Sequence, residues 1–81
     1  MFPNPFKNQV EIEFNNVVDA TAIVNLVDIQ GRVVKTIELN VSKGYRTYLV
    51  NDLDELKDGV YFMNVSIGGL TKQQKLIKTG N

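Results

Sequence analysis

The chain has no cysteine, no histidine and no tryptophan among its 81 residues, and only two prolines. Without cysteine there is no disulfide framework. Without cysteine or histidine, the Ser–His and Cys–His arrangements of nucleophilic catalysis are excluded. No run of about 18 apolar residues exists, so no segment reads as a membrane-spanning helix. The N-terminus lacks the charged-then-apolar pattern of a secretory signal, so export would need a signal on a longer chain. Charge of one sign is missing too: nine basic and nine acidic residues cancel, leaving no global field to attract nucleic acid or an acidic membrane. The cancellation is uneven. The last acid is Asp58, and Lys72, Lys75 and Lys78 follow it.

The remaining chemistry lies in carboxylates. Glu11 and Glu13 share one face of a strand-like run at about 7 Å spacing, a separation glycosidase acids use. The alternation around them makes a solvated strand face the better reading. Asp52, Asp54, Glu55 and Asp58 cluster within seven positions, but not at EF-hand spacing. Asp52 with Glu55 three residues on reads as a capping box instead. No catalysis, metal or cofactor is expected.

What is present is period-2 alternation in short runs rich in β-branched and aromatic residues. "QVEIEF" puts Val10, Ile12 and Phe14 on one face and the two glutamates on the other. "ATAIVNLVD" (20–28) is more continuously apolar, as suits a central strand. "DIQG" reads as a turn into "RVVKTIEL", with Asp28 bonding the turn backbone and Gly31 at positive φ. "YRTYLV" (45–50) follows. "NDLDELKDG" breaks the alternation. Leu53 and Leu56 share one side of a single helical turn that Gly59 ends. In "VYFMNVSI", Tyr61, Met63, Val65 and Ile67 line one face, and Gly68-Gly69 turns the chain into "LTKQQKLIK".

A short strand around Phe2 brings the count to about seven. The expected fold is therefore all-β, an immunoglobulin-like antiparallel sandwich with one short helical turn before the sixth strand. All 81 residues form one domain. Tyr61 would anchor the corner before that strand, and Met63 would fill the place often held by a disulfide. Val34, Leu56, Tyr61 and Met63 are expected in the core, and Leu56→Ala to cost about 2–5 kcal/mol. Pro3-Asn4-Pro5 is a stiff rod between Phe2 and Phe6. It reads as a boundary stop, with the phenylalanines free to plug the core end. The basic last strand has two readings, an edge whose lysines block unwanted pairing or a strand that docks a receptor.

Four segments occur in order: "FPNPF" at 2–6, "VDIQGRVV" at 27–34, "DLDELKDGVYFMNV" at 52–65 and "KLIK" at 75–78. Together they resemble the type A C-terminal sorting domain of proteins exported by the type IX (Por) secretion system of Bacteroidota. The resemblance covers essentially the whole chain. It implies an immunoglobulin-like sandwich at the C-terminus of a larger cargo protein that reaches the periplasm under a separate signal. It also implies recognition at the outer-membrane translocon and removal by surface processing proteins, leaving the cargo secreted or on the cell surface. On this reading Lys75, Leu76, Ile77 and Lys78 face the translocon, while Pro3, Asn4, Pro5 and Phe6 mark the boundary with the upstream cargo domain. Gly31, Leu56, Gly59 and Tyr61 are architectural. The competing reading is an immunoglobulin-like spacer or adhesion module that binds carbohydrate or a neighbouring subunit. The absence of tryptophan and the scarcity of tyrosine disfavour a carbohydrate face.

Overall fold

Alternating apolar residues need a partner surface on one side only, and a pair of packed sheets supplies it. The computed structural model describes residues 5–79. Six strands follow in chain order: β1 (Val10–Asn16), β2 (Ala20–Asp28), β3 (Val33–Val41), β4 (Gly44–Val50), β5 (Gly59–Ile67) and β6 (Leu70–Lys78). β1 pairs with β4 in one sheet, and the other runs β3-β2-β5-β6. Every pair of neighbouring strands is antiparallel. The partnering of β1 with β4 and of β2 with β5 is that of strands B–E and C–F in an immunoglobulin sandwich. β3 and β6 then stand where C′ and G do.

The core is one cluster drawn from both sheets. β1 contributes Val10, Ile12 and Phe14, and β2 contributes Ala22, Val24 and Leu26 from its even positions. β5 contributes Tyr61, Met63 and Val65. Phe14 and Tyr48 meet edge to face with ring centroids 5.8 Å apart, the geometry ring quadrupoles favour.

The turns follow their sequence chemistry. One Asp28 carboxylate oxygen accepts the backbone N–H groups of Gln30 and Arg32, each at 2.9 Å. Its other oxygen accepts Arg32 Nε–H at 2.8 Å. The Arg32 and Gln30 amides and the guanidinium hold the Asp28 carboxyl below its ordinary value of 3.8, against a smaller opposing effect of desolvation. Gly31 takes φ 86°. At the β5–β6 hairpin both glycines have positive φ, 56° and 80°, as a two-residue type I′ turn requires.

Three expectations are corrected. The described residues hold six strands, and the strand expected around Phe2 lies outside them. No helical turn precedes β5. Residues 53–56 close a single β-turn, Leu56 N–H to Leu53 O at 3.2 Å. Asp52 sits at φ 61°, whereas an N-cap needs extended backbone, so no capping box forms. Leu53 is consequently the fully buried leucine of this loop, and Leu56 packs half-buried against the cluster. Val34 is not core either. It points away from the other sheet on edge strand β3 and is 38% exposed, while Ile37, Leu39 and Val41 turn inward.

Candidate recognition surface at the joined chain ends

β6 pairs with β5 along its whole length, with Phe62 opposite Lys75, Tyr61 opposite Leu76, Val60 opposite Ile77 and Gly59 opposite Lys78. At its far end it gains a second neighbour. Phe6 forms a parallel bridge to Lys78. Phe6 N–H donates to Ile77 O at 2.9 Å and Thr79 N–H donates to Phe6 O at 2.9 Å. Thr79 Oγ1–H also reaches Phe6 O at 3.3 Å. The two ends of the chain are thus joined by main-chain bonds. Phe6 is wholly buried, so it is a core plug as expected. Pro5 beside it is exposed. Pro3 and Asn4 lie outside the described residues.

The pleat sorts the four candidate recognition residues into two pairs. Leu76 is fully buried and Lys78 is 4% exposed, both on the side facing the other sheet. Lys75 and Ile77 are exposed on the opposite side. A folded domain therefore offers a partner only Lys75 and Ile77 of the four, because adjacent strand residues face opposite ways. Lys78 is the one buried charged side chain among the described residues. Its ammonium donates to Thr79 O at 3.5 Å.

Around Lys75 and Ile77 the outer face of the four-stranded sheet carries the half-buried Val27, Val60 and Phe62. The registers Val27–Phe62–Lys75 and Val60–Ile77 set them side by side. Next to this apolar group runs a polar row. Thr36 Oγ1–H donates to Asn25 Oδ1, and Gln73 Nε2–H to Asn64 Oδ1, each at 2.8 Å. Asn25 and Asn64 face each other across β2 and β5. The sequence reading overlooked this surface. Its signal lay in Val60 and Phe62, apolar residues on the face of "VYFMNVSI" opposite the core.

The architectural residues hold this end in place. Tyr61 Oη–H donates to Lys57 O at 2.7 Å, the corner contact expected of it, and Met63 is fully buried behind it. Burial, with smaller effects from Asp28 and Asp58, pushes the Tyr61 hydroxyl pKa up. Gly59 begins β5 at φ 147°, a backbone that a side chain would strain. Leu53 N–H donates to Asn8 O at 3.1 Å, tying the loop before β5 to the segment between Phe6 and β1.

Glu13 accepts Tyr45 Oη–H at 2.7 Å, and that bond raises the Tyr45 pKa. Among the described residues no acidic group, including Asp52, Asp54, Glu55 and Asp58, converges as a possible metal set.

The family model described as the secretion system C-terminal sorting domain matches residues 1–79. The chain belongs to that family. As a sorting domain of type IX secretion it engages that system as cargo, and the protein carrying it is a secreted or cell-surface protein. No helix among the described residues is long and apolar enough to cross a membrane. Comparisons with curated proteins and with solved structures give no significant match.

Proposed function

We propose that residues 1–81 act as one non-catalytic address module behind a larger cargo domain, read by the type IX translocon as a folded surface and then processed at the cell surface. The reading surface is the outer face at the end of β6, where Lys75 and Ile77 stand beside Val60, Phe62 and Val27. Leu76 and Lys78 serve from inside, holding β6 against the body so that the two exposed residues keep a fixed spacing. Pro3, Asn4, Pro5 and Phe6 mark the junction with the cargo. The observation that carries this reading is the alternate burial of residues 75–78 on a strand clasped by Phe6.

The test fuses residues 1–81 behind a periplasmic reporter in a type IX-competent bacterium and compares it with the same fusion lacking residues 75–81. Loss of export from the shortened fusion supports the reading. Undiminished export contradicts it.

A further inference from the structure

A cleft of about 460 Å³ opens between the two sheets. One wall is the run from Ile12 to Asn16 on β1, and the other is Val65, Ile67, Leu70 and Lys72 on β5 and β6. Successive β1 residues of both faces take part, so the strand presents its edge there. Among the described residues that edge has no neighbour. β1 pairs only with β4, and none of its main-chain groups bonds elsewhere. In an antiparallel pair every other residue turns its N–H and C=O away from the partner. An edge of this kind is a template for a further strand. The space beside it is apolar: Ile12, Phe14 and Val65 are buried, Ile67 is half-buried and Leu70 is exposed. Asn16 Nδ2 is buried with no acceptor, and a strand carbonyl entering there would supply one.

We infer that the edge of β1 and this cleft bind an extended peptide of another protein, in which apolar residues alternate with lysine or arginine. Its residues opposite Ile12 and Phe14 enter the cleft, and those between them stand on the outer face. That face carries Glu11 and Glu13 on β1, with Leu49 and Thr47 as their β4 partners, and no cation. Opposite charges across a strand pair stabilise it and like charges destabilise it, so the outward positions of the peptide take cations. Lys72 on the far wall repels a cation placed inside. The same rule turns away a second copy of the chain. Two β1 edges paired about a two-fold axis at Ile12 set each Glu11 against a Glu13. The site lies at the start of β6, not at its end where Lys75 and Ile77 stand, and it holds whether or not that sorting surface is read.

The test titrates the 81-residue protein with a short synthetic peptide of alternating valine and lysine and follows the amide resonances by NMR. Saturable shifts are expected from Ile12 to Asn16 and from Leu70 to Lys72. A second peptide carries proline at two adjacent central positions, so that one of them must face β1. It is expected to bind about tenfold more weakly, because a pairing N–H is lost and its acceptor is left unpaired. Glu11→Lys is expected to weaken binding of the first peptide about fivefold, by turning attraction into repulsion. Glu38→Lys, the same change of charge at an exposed position of β3, is expected to leave it in place. Absence of saturable shifts, shifts that miss β1, equal binding of the proline peptide or equal losses in the two variants overturn the proposal. So does dimerisation that moves the same β1 amides without peptide, since a second copy then holds the edge.

Discussion

β5 and β6 are neighbours of equal length, hydrogen-bonded from end to end, yet they are used differently. β5 lies between β2 and β6 and buries Tyr61, Met63 and Val65 in succession. β6 lies at the sheet's edge, and its residues from Leu70 to Lys75 are exposed. Only Leu76 and Lys78 go inside, where Phe6 lies alongside. Among the described residues the opposing sheet has two strands against four. Burial here follows what stands opposite a residue, and alternation by itself does not secure it. The lesson is a division of labour. β5 holds the fold, and most of β6 is free of that task.

The sharpest way to break this comparison uses the facing pair Met63 and Gln74. Met63→Ala is expected to cost about 2–5 kcal/mol in urea unfolding, while Gln74→Ala is expected to stay within about 0.5 kcal/mol. Equal costs would end the distinction between the two strands.

The next contrast lies in the loop that feeds β5. Leu53→Ala is expected to cost about 2–5 kcal/mol as a fully buried leucine. Leu56→Ala, half-buried, is expected to cost about 1–2 kcal/mol. The reverse order would restore Leu56 as the core residue.

Tyr61→Phe is expected to be milder. It removes one hydrogen bond and leaves Lys57 O near solvent, at about 0.5–1.5 kcal/mol. The midpoint of thermal unfolding reads it directly.

The smallest expected effect is an acid one at the β2–β3 turn. The Asp28 pKa is depressed in the folded chain, so its contribution is present above the unfolded pKa and lost as pH falls through the folded one. An NMR titration should show the Gln30 and Arg32 amide resonances moving below pH 3.8, the group's ordinary value. In Asp28→Asn that movement should be absent.

Much of this was legible in the residues. Strict alternation in "QVEIEF" and "VYFMNVSI" fixed which side chains go inside, and Asp28, Gly31 and Gly68-Gly69 marked two hairpins through turn chemistry. The tyrosine corner was legible because a hydroxyl two residues ahead of a core position has few other places to go. The loop before β5 was misread because i, i+3 leucines suit a helical turn and a β-turn equally. The left-handed Asp52 that decides between them leaves no trace in composition. Val34 was misread because the adjacent valines of "RVV" give no sign of which face of the strand each takes. On β6 the sequence showed the cations but not which of them would be covered. Lys78 lies beside Phe6, which bridges to it from the other end of the chain, a contact no local pattern announces.

In the proposed function a folded surface, with Lys75 and Ile77 outward and Leu76 locked inside, carries the sorting message. The most direct test measures export of a reporter fused to the Lys75→Glu, Ile77→Asp double variant, alongside its circular dichroism and unfolding midpoint. The expected result is a β-rich domain of nearly unchanged stability whose reporter stays in the periplasm. Export at the parent level from that folded variant would contradict it.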